Sequence, residues 1–299
     1  MKILVYGAGV LGSLHAARLH EAGHDVSLLA RGARLTAIRE HGVLLAEGES
    51  TTVRAVPVPV VDNPGGDHDL TAVFVRTHQV DEALASLAGQ RGDVLFLLNW
   101  AGGFEPLTAA LGRERVLLGF PNSGGTMDGE VVRYRQASLA TRLVRMPIGE
   151  PDGRTTPRLE RIVQAFREAG ISAKAEPRMD AWLTTHAAFE TPLGQAVHTA
   201  GGPAALASDP AAIRAMIRGI RQNLAALPTR PVPSAFGALR TVPEPVLVAV
   251  FRRFLRSSVA EPLTTDSPAV SAELDRLTEQ LRALAKAGSS TSATPPRGR

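Results

Sequence analysis

The chain has 299 residues, 44% of them hydrophobic and 21% charged, a composition typical of a folded globular protein rather than a disordered one. It contains no cysteine, which excludes a disulfide framework, a thiolate zinc site and a cysteine nucleophile. The net charge of +4 comes from scattered arginines that acids largely balance, and only 4% of the residues are aromatic, so we expect no nucleic-acid partner.

Strand and helix patterns alternate through the first part of the chain. Residues 2–6 predict a buried strand, residues 11–22 a helix and residues 25–29 a second strand, which together make one βαβ unit. The alternation continues with strands predicted at 72–76, 94–98, 115–119 and 171–175 and helices at 79–88, 104–111 and 156–169. Short strands are predicted at 43–47, 52–56, 130–135 and 138–144, the last two as an antiparallel pair. This pattern indicates an α/β fold, a Rossmann domain with a mostly parallel, doubly wound sheet.

The pattern changes after Pro177, where strand signals stop. Four helices are predicted beyond it, at 180–199, 209–227, 243–257 and 268–287. We therefore predict a Rossmann dinucleotide-binding domain over residues 1–177 and an all-helical domain over 178–287. Residues 288–299 are rich in Ser, Thr, Gly and Pro, and we expect a disordered tail there.

A glycine-rich turn follows the first strand and opens the first helix. It has the G-x-G-x-x-G pattern, formed by Gly7, Ala8, Gly9, Val10, Leu11 and Gly12. The first glycine permits a tight turn, the second lets the backbone approach a pyrophosphate, and the third lets the helix pack close to the strand. Because the motif lies between a predicted strand and a predicted helix, it indicates a dinucleotide site rather than an ordinary turn.

The end of the second strand indicates which dinucleotide is bound. An NAD site places an acid there to bond the ribose hydroxyls, whereas this chain has Arg31 and then Arg34 with no acid between them. The planar guanidinium of Arg31 can pair with a 2′-phosphate, and Arg34 can add a second contact. The alternative is that both arginines are simply solvated at the start of a helix. The missing acid favours NADP(H) as the cofactor.

These segments resemble the ketopantoate reductase family, whose members use NADPH to reduce 2-dehydropantoate. The order of glycine motif, Arg31, Rossmann domain and helical domain is similar to the family's. Residues 75–79 resemble the family's turn with a lysine near the cofactor, and Arg76 stands in that lysine's place. Residues 98–105 resemble its asparagine–glycine turn, which implies that Asn99 lies beside the nicotinamide and the substrate.

The second domain departs from the family pattern. The family's general acid is a lysine on the first long helix of this domain, and the corresponding stretch here is residues 181–192. Depending on a one-residue shift, Leu183 or Thr184 occupies the lysine position. We therefore describe the chain as a divergent member, and we expect its activity on 2-dehydropantoate to be weak or absent.

His186 and Glu190 are the candidates for proton transfer on that helix. They are four residues apart, so they share one face of the helix, and Trp182 and Phe189 flank that face. A histidine titrates near neutrality, and Glu190 can orient it, so we predict His186, Glu190 and Asn99 as the catalytic residues. The alternative is a core-facing histidine beside a solvated glutamate. The dispersed histidines predict no metal site.

Three functions stay open from the sequence. The first is an NADPH-dependent oxidoreductase that reduces a ketone or imine of a small-molecule substrate. The second is a non-redox protein that retains an NADP(H) site, either a regulator or an enzyme that uses the cofactor structurally. The third is an NAD(P)-dependent dehydrogenase of another family with a helical second domain.

The expected location and assembly follow from the chain's hydropathy. No apolar run reaches the ~18 residues that span a bilayer, and glycines break the first apolar run where a signal peptide would continue. We therefore expect a cytoplasmic protein with no membrane partner, and a homodimer is left open.

Overall fold

A computed structural model describes residues 1–135, 145–257, 260 and 268–291. The chain divides into two compact units. The first comprises Met1–Leu98 and Phe104–Met179, and the second comprises Asn99–Gly103 and the chain from Asp180 onward. This division lies close to the boundary predicted after residue 177. The five residues Asn99–Gly103 lie in the first half of the chain but belong to the second unit, which the sequence pattern did not indicate.

The first unit is built on an eight-stranded sheet. Its order is β12-β11-β8-β7-β6-β1-β2-β5. The strands are β1 Lys2–Tyr6, β2 Asp25–Leu29, β5 Val60–Val61, β6 Leu70–Val73, β7 Asp93–Leu97, β8 Val116–Gly119, β11 Met146–Gly149 and β12 Ala173–Ala175. The helices of this unit within its described residues are α1 Val10–Glu21, α2 Gly32–His41, α3 Val80–Leu87, α4 Glu105–Leu111 and α5 Pro157–Glu168, with a 3-10 turn at Thr77–Gln79.

Strand β1 lies between β2 and β6, and all three run parallel. In register, Tyr6 lies opposite Leu29 of β2 and opposite Val73 of β6, so the three strands end together at one edge. The sheet is parallel throughout except where β11 runs antiparallel to β8. The sequence of β1 explains its central place, because Ile3, Leu4 and Val5 are fully buried, as expected of a strand covered on both faces. The predicted α/β Rossmann fold is confirmed.

A second sheet of four strands has the order β4-β3-β10-β9. Its strands are β3 Val43–Glu47, β4 Arg54–Val56, β9 Gly125–Asp128 and β10 Val131–Tyr134. Strand β10 pairs antiparallel with β9 and parallel with β3. The sequence pattern missed β9, which supplies an antiparallel partner for β10. The partner that the sequence predicted, residues 138–144, lies outside the described residues.

The second unit is helical in the part of the chain that the structure describes. Its helices are α6 Met179–Ala200, α7 Pro203–Ser208, α8 Pro210–Ala226, α9 Glu244–Leu255 and α10 Pro268–Thr291, with a 3-10 stretch at Ser234–Arg240. An apolar stripe of α8 packs against α9 and α6 in one core, which includes Ile217, Phe251 and Leu193. No helix among the described residues is long and apolar enough to cross a membrane.

The last helix runs further than the sequence indicated. Helix α10 continues to Thr291, so the first four residues of the tail that we expected to be disordered, 288–291, are helical. Residues 292–299, the rest of that segment, lie outside the described residues. Helical order here agrees with the intrinsic propensity of the Ala- and Leu-rich stretch before it, which favours continuation past Gly288.

Candidate active site

Two of the three loop glycines are required by the protein itself. Gly7 has a positive φ of 109°, and a Cβ there would overlap the carbonyl oxygen of Phe74, the residue directly after β6. A Cβ at Gly12 would overlap the carbonyl oxygen of Gly7, because the first turn of α1 closes directly onto the loop. Both glycines therefore allow close backbone approaches that any side chain would prevent.

Gly9 is different, because a Cβ there would meet no atom within 4 Å. Its backbone is extended (φ −72°, ψ −170°) and any residue can adopt that conformation. Nothing inside the described protein therefore requires glycine at this position. The open space beside Gly9 fits the close approach of an external group, and a pyrophosphate is the group that this motif accepts.

The amino end of α1 opens onto this space. Gly9 is its N-cap residue, no side chain among the described residues caps the helix, and its first turn contains no acid. The exposed N–H groups of the first turn, including those of Val10 and Leu11, and the positive end of the helix dipole favour an anion there. The residues present thus fit a dinucleotide.

Arg34 stabilises the loop instead of extending the phosphate site. Its Nε donates to the carbonyl oxygen of Ala8 (3.2 Å), one Nη to Ser13 Oγ (3.2 Å) and the other to the carbonyl oxygen of Glu130 (2.8 Å). Ser13 Oγ also donates to Ala8 (3.1 Å). Because these bonds use both ends of the guanidinium, the second phosphate contact suggested by the sequence is not supported.

Arg31 lies directly after β2 and is the N-cap residue of α2. Its side chain is 55% exposed, forms an ion pair with Glu82 of α3, and has an Nη 3.4 Å from the hydroxyl of Tyr6. That hydroxyl is also bonded to Ser86 Oγ of α3 (3.0 Å). Arg31 is therefore solvent-accessible, and the network that holds it includes an acid that sequence spacing did not single out.

Arg76 follows β6 and opens the 3-10 turn Thr77–Gln79. Its backbone N–H donates to Gln79 Oε1 (3.0 Å), which orders this turn. Because β1, β2 and β6 end in register, the residues that follow them lie at one edge of the sheet. The glycine loop, Arg31 and Arg76 are thus brought to the edge at which open α/β sheets bind ligands.

The second unit brings together the three residues predicted for catalysis. His186 Nε2 lies 2.6 Å from Glu190 Oε2, one helical turn further along α6. The ring of Trp182, one turn before, is stacked on the imidazole with 5.2 Å between centroids and an interplanar angle of 14°. The amide of Asn99 bonds Glu190 as well. Trp182, His186 and Glu190 share one face of α6, because four residues correspond to about one turn.

The Glu190 carboxylate is stabilised by these neighbours. Burial raises the pKa of its carboxyl, but the charge of His186, the hydrogen bond from His186 and the bond from Asn99 together outweigh burial and bring the pKa below its ordinary value. Glu190 is therefore an anion near neutral pH. This carboxylate, 2.6 Å from His186 Nε2, holds the imidazole in one orientation.

The turn that carries Asn99 is built into the helical unit. Trp100 Nε1 donates to the carbonyl oxygen of Gly103 (2.6 Å), and Gln280 of α10 accepts from the N–H of Ala101 (2.9 Å). Ala101 is fully buried against Ala187 of α6. These contacts keep Asn99 in place beside Glu190, and Gln280 is a supporting residue that the sequence pattern gave no reason to select.

Neither candidate for the family's lysine position offers a proton to this face. Leu183 is 1% exposed and apolar. Thr184 is also buried, and its hydroxyl donates to backbone oxygens within the helix, those of Asp180 (3.0 Å) and Ala181 (3.2 Å). The chain has three lysines, Lys2, Lys174 and Lys286, none of them on this stretch, and Lys174 is paired with Glu176 (2.9 Å). His186 is thus the basic side chain of the helix that faces Glu190.

Comparison with known families agrees with the glycine loop and the fold. Residues 3–147 match the model of the family described as ketopantoate reductase PanE/ApbA. Over these residues the chain is similar to the ketopantoate reductase family. The resemblance noted in the sequence is confirmed at this level.

Curated relatives share under a third of their residues with this chain. A 2-dehydropantoate 2-reductase of Pyrococcus horikoshii is 29% identical over 186 residues, which cover 61% of this chain and 58% of the relative. The oxidoreductase YkpB of Bacillus subtilis is 28% identical over 220 residues, 68% of this chain and 70% of the relative. The chain thus spans little more than half the length of the Pyrococcus enzyme.

Solved structures match the fold over nearly the whole chain. A 2-dehydropantoate 2-reductase from Porphyromonas gingivalis has a TM-score of 0.65 at 17% identity, covering 98% of this chain and 99% of its own. A D-mandelate dehydrogenase, solved with NADH and anilino(oxo)acetate, has a TM-score of 0.67 at 17% identity, covering 97% of this chain and 100% of its own. At these identities the likeness concerns the fold.

Proposed function

We propose that this protein is an NADPH-dependent reductase that transfers hydride to a C=O or C=N group of a small molecule other than 2-dehydropantoate. The observation that carries the proposal is the pairing of an intact dinucleotide loop with a changed catalytic helix. The loop keeps an open position at Gly9 and an uncapped helix terminus. The catalytic helix has a buried leucine or threonine where the family resemblance expects lysine.

The proposed cofactor is NADP(H) rather than NAD(H). Support comes from Arg31, which is accessible beside the carboxyl end of β2, and from the first turn of α2, which contains no acid. An exposed ion pair such as Arg31–Glu82 contributes little stability, so a 2′-phosphate can displace Glu82 from the guanidinium at small cost. The phosphate carries more charge than a carboxylate and suits the planar fork of arginine.

The proposed chemistry needs a hydride and a proton. NADPH supplies the hydride when it is bound. His186 would donate the proton to the substrate oxygen or nitrogen, with Glu190 holding the ring at Nε2. Trp182 stacks on this ring, and Asn99 bonds the Glu190 carboxylate. His186 would then take up a proton from water.

A cofactor-oxidation assay tests this proposal. The purified protein is mixed with NADPH and a panel of ketones and imines that includes 2-dehydropantoate, and the absorbance of NADPH is followed. We expect turnover with at least one other member of the panel and weak or no turnover with 2-dehydropantoate. Turnover of 2-dehydropantoate at an ordinary enzymatic rate would show that another group replaces the lysine.

One alternative is favoured by the same helix. Because Leu183 is buried and Thr184 is bonded to the backbone, a protein that binds NADP(H) without redox chemistry also agrees with these contacts. Tight NADPH binding, measured by calorimetry, together with no oxidation across the whole panel would favour that function.

A further inference from the structure

The ribose end of the proposed cofactor site contains an acid that does not come from β2. Glu82 belongs to the first turn of α3, 51 residues after Arg31 in the chain, and its carboxylate is paired with the Arg31 guanidinium. Both side chains are accessible, 62% exposed for Glu82 and 55% for Arg31. Neither is therefore part of the core, and the pair lies where a dinucleotide bound by the glycine loop would place its adenosine ribose.

The surrounding network holds Arg31 close to this acid. The Tyr6 hydroxyl, at the end of β1, lies 3.4 Å from an Nη of Arg31 and 3.0 Å from Ser86 Oγ. Ser86 lies four residues after Glu82, one turn further along α3. The same short helix thus contacts Arg31 directly through Glu82 and indirectly through Tyr6. The hydrogen bond that Arg31 donates to Glu82 is also the main reason why the pKa of the Arg31 guanidinium lies above its ordinary value.

The charge of Glu82 has opposite consequences for the two dinucleotides. A 2′-phosphate carries up to two negative charges and must replace the Glu82 carboxylate as the partner of the Arg31 guanidinium. Because that carboxylate stays nearby, Glu82 opposes phosphate binding both by competing for Arg31 and by repelling the phosphate. A ribose with a free 2′-hydroxyl has no such charge. It can donate a hydrogen bond to Glu82, which then performs the part that an acid after β2 performs in NAD sites.

We propose that Glu82 is a specificity-determining residue that competes with the 2′-phosphate for Arg31 and so reduces the preference for NADPH over NADH. This inference rests on the proposed NADP(H) site. It adds that the preference is set by the Arg31–Glu82 pair and not by Arg31 alone. With this pair the preference for NADPH over NADH is smaller than Arg31 alone would give, and loss of the carboxylate charge increases it.

The test compares Glu82→Gln with the native protein and with Asp81→Asn. Asp81 is the neighbouring exposed acid in the same turn of α3, so its variant removes an equal charge from the same helix without touching Arg31's ion-pair partner. Calorimetry gives the dissociation constants of NADPH and NADH for the three proteins. We expect Glu82→Gln to raise the ratio of NADPH to NADH affinity by about fivefold or more, and Asp81→Asn to change it by less than about twofold.

The salt dependence of the cofactor-affinity ratio is a second measurement. If Glu82 had only a structural role, the effect of Glu82→Gln on this ratio would not depend on salt. Repulsion between exposed charges is screened by salt, so the difference between Glu82→Gln and the native protein should shrink when the titration is repeated at about 0.5 M salt. An unchanged cofactor ratio in Glu82→Gln, or an equal change in Asp81→Asn, would overturn the inference and leave the proposed NADP(H) site standing. Failure of the native protein to bind NADPH at all would overturn both.

Discussion

Two helices of this protein each carry a histidine that contacts an aromatic ring, and their surroundings give the two side chains different roles. His15 of α1 is completely buried, lies 4.6 Å from the ring of Phe74, and has its Nδ1 2.7 Å from the carbonyl oxygen of Leu11. His186 of α6 is partly accessible and is paired with Glu190. Burial lowers the pKa of the first histidine, whereas the second histidine is held by a carboxylate.

The same contrast holds for the regions around them. At the glycine loop, cofactor binding is proposed to depend on the backbone, through glycines that permit close approaches and N–H groups at a helix terminus. On α6, the proposed proton transfer depends on side chains, and their identity differs from what the family resemblance predicts. A backbone-based site tolerates sequence change around it, while a side-chain site changes its chemistry with one residue. The first region thus indicates the cofactor, and the second must be tested residue by residue.

The largest expected effect concerns His186. In His186→Gln we expect the turnover rate on the true substrate to fall by about 10²–10⁴-fold, because a positioned general acid contributes that much. NADPH affinity should change little, since the proposed phosphate contacts belong to the first unit. Stopped-flow rates and cofactor titrations measure the two quantities. The control is His198→Gln, because His198 is an exposed histidine on the same helix. Full activity in His186→Gln would mean that another group donates the proton.

The loop glycines separate a folding role from a binding role. Gly12→Ala should lower the free energy of unfolding by about 3 kcal/mol or more, because the added Cβ overlaps the carbonyl oxygen of Gly7. Gly9→Ala should change it by less than about 1 kcal/mol, since its Cβ points into open space, yet weaken NADPH binding by about tenfold or more. Chemical denaturation and calorimetry measure these effects. Gly9→Ala with native NADPH affinity would contradict the proposed pyrophosphate position.

His15 should make the first unit sensitive to acid. Burial lowers its pKa from 6.5 to about 4, and a bond to Leu11 only partly offsets this. Below about pH 6.5 the His15 ring of the unfolded chain binds a proton, whereas the ring in the folded protein stays neutral down to about pH 4. The contribution of the neutral ring to the free energy of unfolding is therefore present above pH 6.5 and is lost as the pH falls toward 4. The loss should be about 3 kcal/mol between pH 7 and pH 4.

Denaturation of native protein and His15→Gln across this pH range measures that contribution. Other groups titrate in the same window, so the difference between the two proteins is the informative quantity. We expect the native protein to lose stability more steeply than the variant. Parallel curves would mean that the folded protein accommodates the charged ring, for example by opening α1.

The smallest of these effects is expected at Arg31. Arg31→Ala should weaken NADPH binding by about 1.5–3 kcal/mol, the cost of a lost charge-assisted contact to phosphate, and should leave NADH binding nearly unchanged. Arg39→Ala is the matched control, because Arg39 lies on the same helix and pairs with Asp62. Fluorescence titration measures the dissociation constants of both cofactors. Equal losses of affinity for NADPH and NADH would mean that Arg31 attracts both dinucleotides by its charge and does not recognise the 2′-phosphate.

Several elements were predictable because their signals are local. The run Lys2–Tyr6, the glycines after it and the apolar spacing of α1 together specified a βαβ unit, and the spacing of His186 and Glu190 placed them on one helix face. Helix α2 shows the limit of such signals. It buries Ile38 but has no apolar stripe, so its existence depends on contacts with the rest of the unit rather than on its own periodicity.

The sequence by itself determined the parts that rest on backbone geometry: the parallel strand, the glycine turn, the open helix terminus and the absence of an acid after β2. Only the tertiary structure decided which distant side chains complete these parts. It paired Arg31 with Glu82, used Arg34 to stabilise the loop, and placed Asn99 beside Glu190. The physical reason is that backbone geometry is governed by neighbours in the chain, whereas a contact between residues 51 or 91 positions apart depends on how the strands and helices pack.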